Sequence, residues 1–312
     1  MNQIGVQTKG IAEGSHIESG LELIARAGFD CIDLNLDAYL PNYVLYEGKT
    51  GRFFDQSLEE LEEYFSDYHK ILTSYGLLAS QMHAPYPVMI HGREKQNQYM
   101  MREVIPKSLW IAGFLEIPFV VIHPWKLQYI TSREDEQRKN LEYFTSLIPL
   151  AKKNHLTICL ENLYEGAGQH LIEGVCADVK EAVWLVDELN SRAGQECFGF
   201  CLDTGHLNLT SQDPNKWINI LGNRLKILHL HDNDGRGDLH QLPFSFQNAD
   251  GPGKGVDWER VLKGLRDIKY QGVLNFETFP CLTSFPESMP LKILKTIREI
   301  GMYFADRLQQ ED

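Results

Sequence analysis

The chain has 312 residues, 43% of them apolar, which is enough for a sizeable core. Its 43 acidic residues against 30 basic ones leave a formal charge of −13, and that balance argues against general nucleic-acid binding, which needs cations to displace counterions. No apolar run reaches the roughly 18 residues of a spanning helix, the start MNQIGVQTKG lacks a signal-peptide pattern, and six scattered cysteines without C-x-x-C read as buried free thiols of a cytoplasmic protein.

Short apolar runs then alternate with longer amphipathic ones. QIGVQT (3–8) is followed by a helical pattern over 15–28, CIDLNL (31–36) by 57–76, LLASQMH (77–83) by 95–116 and FVVIH (119–123) by 133–154. LTICLE (156–161) is followed by 178–193, FGFCLD (198–203) by 214–223, LKILHLH (225–231) by 257–270 and GVLNFE (272–277) by 287–308. The runs mostly lack alternation, as strands covered on both faces do. Ser57 ahead of Glu60 and Ser132 ahead of Asp135 supply helix caps. Eight strand–helix pairs without a linker predict one domain over 1–312, a single α/β (β/α)8 TIM barrel, with a doubly wound open sheet as the alternative. Two connections are long. Residues 37–56 carry Tyr39, Tyr43, Tyr46, Phe53 and Phe54, and read either as a lid over a polar site or as a surface packed on a neighbouring subunit. Residues 232–256 are the other, ending in a turn that feeds a helix capped by Asp257.

The polar residues closing these runs carry the functional signal. The third run ends at His83, the fourth at His123, the fifth at Glu161 and the sixth at Asp203. The seventh ends at His229 and His231, the eighth at Glu277. In a barrel these C-terminal strand ends hold the active site. A single histidine reads more simply as a hydrogen-bonded structural residue, and that reading is kept for His16, His69, His91, His155 and His170. Six strands in step are another matter. Glu161 and Glu277 follow LTICL and GVLNF, runs with no basic residue, and an unpaired carboxylate in a barrel mouth is costly. A divalent ion is the simplest partner. Glu161, Asp203 and Glu277 with one imidazole, His229, form an oxygen-rich set that suits Mn²⁺, Mg²⁺ or Co²⁺ better than a structural zinc site. His231 shares the strand face by the period of two but lies nearer the loop, on the substrate side. Asp232, Asn233 and Asp234 read as turn formers and supporting partners.

Two glutamates across a barrel mouth also suit proton transfer between carbons beside a carbonyl, through an enediolate whose oxygens a metal holds. Arg236 is a candidate for a substrate oxygen or a solvated loop residue. Trp125, with Lys126, is a pocket wall or plain packing. Few cations stand near the strand ends (Lys126, Arg236, Lys254), which points to an unphosphorylated sugar, keto-sugar or cyclitol.

Met82-His83-Ala84-Pro85-Tyr86, Ile122-His123-Pro124-Trp125, Leu160-Glu161-Asn162, Leu202-Asp203-Thr204-Gly205-His206, His229-Leu230-His231-Asp232-Asn233-Asp234-Gly235 and Phe276-Glu277-Thr278 resemble motifs of the sugar phosphate isomerase/epimerase superfamily. This is the xylose isomerase-like barrel group that also contains endonuclease IV. The resemblance runs over essentially the whole chain, in family order. It departs at Gly253-Lys254-Gly255, where relatives often carry G-E-G. It implies one divalent ion on Glu161, Asp203, His229 and Glu277, Mn²⁺ first and Mg²⁺, Co²⁺ or Zn²⁺ as alternatives. It also implies that Glu161 and Glu277 are the acid/base pair and that His206 touches substrate. The three-metal endonuclease IV pattern adds imidazoles like His83, His123 and His206, and an Asp-x-His like Asp238-Leu239-His240. These are assigned here to substrate hydroxyls, because the rim is poor in cations for a DNA backbone. Residues 37–56 offer Lys49 and Arg52 against Asp37, Glu47 and Asp55, and residues 162–177 hold no Lys or Arg. The resulting expectation is a metal-dependent sugar isomerase or epimerase in carbohydrate metabolism, acting on a small sugar or polyol. A cyclitol or keto-acid dehydratase and a three-zinc phosphodiesterase are the alternatives. No nucleic-acid or membrane partner is expected, and a homo-oligomer is compatible.

Overall fold

Eight short runs of aliphatic and aromatic residues pair in parallel in the computed structural model, which describes residues 1–128, 131–247 and 254–310. They are β1 (Ile4–Gln7), β2 (Cys31–Asn35), β3 (Leu78–His83), β4 (Phe119–Val121), β5 (Thr157–Glu161), β6 (Phe198–Asp203), β7 (Leu225–His229) and β8 (Leu274–Phe276). Each pairs with its sequence neighbours, and β8 also pairs with β1. Between β7 and β8 the Leu230 amide donates to Asn275 O at 2.9 Å and the Glu277 amide to Leu230 O at 3.1 Å. That bridge completes the ring, so the sheet is a barrel and not an open doubly wound sheet.

The connecting helices are α1 (Ile17–Ala27), α2 (Leu58–Tyr75), α3 (Ile105–Phe114), α4 (Arg133–Lys153), α5 (Val179–Ala193), α6 (Pro214–Leu221), α7 (Trp258–Asp267) and α8 (Pro290–Gln309). A short helix, Glu94–Tyr99, runs through a π turn, Met100–Val104, into α3. Ser57 and Glu60 form a reciprocal cap on α2, and the Ser132 hydroxyl accepts from the Asp135 amide at the start of α4. Gly28 and Gly76 end α1 and α2 at φ 92° and 67°, a left-handed conformation that costs other residues strain. Asp257 caps α7 by accepting from the Arg260 amide. Residues 248–253 of the second long connection, with Gly253 of the G-K-G segment, lie outside the described residues.

The large apolar core lies between strands and helices. Inside the barrel, the period of two sets the contents. Two residues back from His123, Glu161, Asp203 and His229 stand Val121, Cys159, Cys201 and Ile227, which form a small apolar cluster of their own. Two residues back from His83 and Glu277 stand Gln81 and Asn275, which both donate to Asp33 Oδ2, at 2.9 and 3.1 Å. The barrel floor is thus apolar under β4–β7 and polar under β2, β3 and β8. All six cysteines are buried free thiols, and no helix among the described residues is long and apolar enough to cross a membrane.

The loop over 37–56 differs from the lid expectation. Tyr39 stacks on Phe53 with centroids 4.2 Å apart, and both meet Tyr64 and Phe65 of α2 edge-on. Phe54 is fully buried. Tyr39 and Phe53 therefore seat the loop on this chain's own helix, with Phe54 edge-on to Phe53. Tyr43 is exposed, and only Tyr46, on a short helix Asn42–Tyr46, reaches the barrel mouth.

Candidate active site

The strand-end residues meet in the centre of the barrel mouth. His229 Nδ1 lies 3.0 Å from Glu161 Oε1, 3.4 Å from Glu277 Oε2 and 4.0 Å from Asp203 Oδ2. Its other nitrogen, Nε2, lies 3.3 Å from Asp33 Oδ2. Asp33 thus stands behind the imidazole, where carboxylates are common behind metal-binding histidines, although Nε2 makes no hydrogen bond of good geometry. Asp203 is fixed by its neighbours. Its amide donates to Asn162 Oδ1, its carbonyl accepts from Asn162 Nδ2, both at 2.9 Å, and its Oδ1 caps the short helix Thr204–Leu209 through the His206 amide at 2.7 Å.

Three imidazoles are oriented by the main chain. His83 Nδ1 sits 2.8 Å from Ala84 O, His206 Nδ1 2.8 Å from Asn162 O and His240 Nδ1 3.0 Å from Glu277 O. With Nδ1 fixed on a carbonyl, each Nε2 points toward the other site groups. His83 Nε2 faces His123 Nε2 at 3.1 Å, and His123 Nε2 is 2.8 Å from Glu161 Oε2. His206 Nε2 and His240 Nε2 both lie 3.3 Å from Asp238 Oδ2.

These atoms form groups whose donors lie within 4.8 Å of one another: Asp203, His229 and Glu277; His83, Glu161 and His229; Glu161, Asp203 and His206; and His231, Asp238 and His240. Imidazole nitrogens and carboxylate oxygens crowd together there, and Glu161 Oε2 has no hydrogen-bond partner of good geometry. Carboxylate and imidazole donors so arranged fit a divalent cation. The electrostatics have the same sense. Burial alone would raise the Glu161 carboxyl, but His123 and His229 hold it well below the ordinary range. Asp238 is likewise held well below it, against burial, by His206 and His240. Against burial, Asp203 and Asp238 raise His206 to about 10, and Asp238 raises His240 to about 9. Carboxylates in this mouth hold positive charge close.

A cavity of about 550 Å³ opens above these groups. Glu161, Glu277, His83, His123, His206, Asp238 and His240 line it, while Asp203 and His229 lie fully buried beneath. Three expected substrate contacts lie elsewhere. His231 is buried, with Nε2 3.0 Å from both Asp203 oxygens, and so supports that carboxylate. Trp125 stacks on Tyr143 with centroids 4.7 Å apart, the packing alternative. Arg236 is exposed in a turn, where its amide donates to Asp234 Oδ1 at 2.9 Å. Asp232 is buried as a supporting partner, accepting from the Val256 amide and the Trp258 indole.

Sequence reasoning missed part of the wall. Lys9, just past β1, pairs with Asp37 at 2.7 Å and lies over the Phe279 ring. His91, read as an ordinary loop histidine, lines the cavity. So does Tyr164, on an unforeseen hairpin of Tyr164–Ala167 with His170–Glu173. Its hydroxyl is 3.4 Å from Asp238 Oδ2, and its carbonyl accepts from Lys126 Nζ at 3.1 Å. Lys9 and Asp33 had a signal: each is a charged residue on or just past a strand.

A family model described as a xylose isomerase-like TIM barrel matches residues 21–295. Inosose isomerase of Bacillus velezensis is 22% identical over 290 residues, covering 92% of this chain and 90% of the relative. A probable endonuclease 4 of Mycoplasma mycoides is 24% identical over 189 residues, covering 57% of this chain and 62% of the relative. A crystal structure of a D-tagatose 3-epimerase-like protein aligns with a TM-score of 0.69 at 17% identity, covering 98% of each chain. At that identity the likeness speaks for the fold.

Proposed function

The chain belongs to the xylose isomerase-like TIM barrel family, and from that premise we propose that it is a metal-dependent sugar isomerase or epimerase. The observation that carries the reading is the pair of glutamates converging on one imidazole, Glu161 Oε1 at 3.0 Å and Glu277 Oε2 at 3.4 Å from His229 Nδ1. They come from β5 and from the end of β8, so a substrate entering the mouth passes between them.

In this reading Glu161, Asp203, His229 and Glu277 hold one divalent ion, Mn²⁺ first and Mg²⁺, Co²⁺ or Zn²⁺ as alternatives. When bound, such an ion supplies positive charge to the substrate's carbonyl and hydroxyl oxygens. One glutamate takes the proton from the carbon beside the carbonyl, and the other returns a proton from the opposite face or to the neighbouring carbon. The Asp33 carboxylate beside Nε2 favours a proton there and leaves Nδ1 toward the carboxylates. His83, His123, His206, Asp238 and His240 take substrate hydroxyls. The buried floor of Val121, Cys159, Cys201 and Ile227 keeps water from reaching Glu161 from below.

A second reading has its own support. The three imidazoles anchored through Nδ1, with His123 and Asp238, supply the donors a three-metal phosphodiesterase needs, and one relative is a probable endonuclease 4. Against it stands the wall charge: Lys9 is already paired with Asp37, and Lys126 is held on the Tyr164 carbonyl. A duplex needs several free cations along its path. The deciding experiment screens keto-sugars and inososes for proton exchange in deuterated water, with metal analysis of the same sample. Exchange with about one ion per chain supports the isomerase. Three tightly held zinc ions and cleavage of abasic-site DNA would replace it with the nuclease.

A further inference from the structure

We propose that the polar side of the barrel floor binds an alkali cation, sodium or potassium, on side-chain oxygens of Gln7, Asp33, Gln81 and Asn275. Four neighbouring strands build the site. Gln7 of β1 stands in register with Asp33 of β2, and Asp33 with Gln81 of β3. Asn275 of β8 pairs with Gly5, which shares a face of β1 with Gln7. Each of the four side chains belongs to a residue at most 1% exposed.

Their hydrogen bonds leave an excess of acceptors. A carboxylate only accepts, so Gln81 and Asn275 turn their amide nitrogens to Asp33 Oδ2, at 2.9 and 3.1 Å, and their oxygens away from it. Gln81 Oε1, Asn275 Oδ1, Asp33 Oδ1 and Gln7 Oε1 then have no hydrogen-bond partner in the protein. Against these four oxygens stand two unpartnered nitrogens, Gln7 Nε2 and His229 Nε2, and the second already faces the other Asp33 oxygen at 3.3 Å. Gln81 and Asn275 share one oxygen of Asp33, and Gln7 is next to Asp33 at a strand spacing of about 4.8 Å, so the free oxygens gather in one small space. Gly5 keeps a side chain out of it: a Cβ there would stand 2.9 Å from Asn275 Oδ1.

Buried polar atoms without partners are costly. One water molecule donates to two of the four oxygens, whereas a cation takes lone pairs from all of them and also offsets the Asp33 charge. A ligand set of oxygens alone suits a hard cation. One carboxylate among three neutral amides balances a single positive charge. The site lies below the glutamate pair and does not depend on the reaction assigned to it.

The test compares melting of the protein, at one divalent-metal loading, in sodium, potassium and N-methylglucamine chlorides of equal ionic strength. At about 100 mM salt, an ion held with a Kd of about 1–10 mM should raise the melting temperature by about 2–4 °C over the N-methylglucamine salt. Gln7→Met keeps the length of the side chain and removes an oxygen ligand; it should lose most of that difference. Crystals of the wild-type protein in thallium(I) acetate should show an anomalous peak in contact with Asp33 Oδ1, whether or not the variant folds. Equal melting of the wild type in all three salts overturns the proposal, as does a salt difference that Gln7→Met shares in full. Ordered water at Asp33 Oδ1 with no thallium peak overturns it as well.

Discussion

Glu181, on α5 behind the hairpin, is only 7% exposed. Burial raises its carboxyl, Glu136 raises it further, and Arg133 at 3.7 Å opposes both, leaving it at about 7. Arg133 in turn donates to Gly174 O at 2.8 Å, so this cluster anchors the base of the hairpin that carries Tyr164. A carboxyl raised on folding favours the fold below its unfolded value and loses that advantage as the pH climbs through the folded one. The window therefore runs from the ordinary 4.5 to about 7. At 1.36 kcal/mol for each tenfold change in proton affinity, this rise costs the wild type about 3 kcal/mol at pH 8. At pH 5 the cost is under about 1 kcal/mol. Glu181→Gln removes the ionisation and keeps the shape. Taking about 2.1 cal/mol/K per residue over 312 residues, the variant should melt about 4–5 °C above wild type at pH 8. The gap should shrink to about 1 °C at pH 5. Calorimetry of both proteins at the two pH values reads the difference directly. A variant less stable than wild type at pH 8 would refute the reasoning, because the carboxylate would then be ionised and stabilised by Arg133.

Other outcomes follow from the same geometry. Asp203→Ala or His229→Ala should lose bound divalent metal in elemental analysis; full occupancy in both means the ligand assignment is wrong. Asp33→Asn should weaken metal binding by about 10- to 100-fold while the melting curve changes little, the usual worth of a group that orients a ligand; unchanged affinity in a competition titration removes that role. Leu45→Ala should cost about 2–5 kcal/mol, since Leu45 is the fully buried residue of the Asn42–Tyr46 helix; a neutral result in denaturant would mean this segment is not seated on the barrel.

The barrel was legible because its signals are local. Strands covered on both faces read as apolar runs, and six of the eight ended in a polar residue whose direction the period of two fixes. Glu161, Asp203, His229 and Glu277 come together for that reason. Beyond the strands, direction depends on loop conformation, which no period encodes. Trp125 lies two residues past His123 yet turns onto Tyr143, and Arg236 is carried outward by its turn. His231 keeps the strand parity but is drawn to Asp203 rather than into the cavity. The hairpin at Tyr164–Glu173 was hidden because YEGAGQHLIE is polar and glycine-rich, and its pairing is antiparallel outside the barrel. Tyr39 and Phe53 read as part of a lid or of a surface packed on a neighbouring subunit, but their partners, Tyr64 and Phe65, belong to the next helix and could not be matched by sequence spacing.

The central claim is that Glu161 and Glu277 move the proton from either side of the substrate. The direct measurement is solvent deuterium incorporation beside the carbonyl, in Glu161→Gln and Glu277→Gln, with metal in excess so that occupancy is equal. Turnover in each variant should fall by about 10²–10⁴-fold, the usual worth of a positioned proton-transfer group. Each variant should also lose exchange from the substrate epimer whose proton faces the missing carboxylate, while the other epimer still exchanges. Near-wild-type exchange of both epimers in either variant would contradict the account.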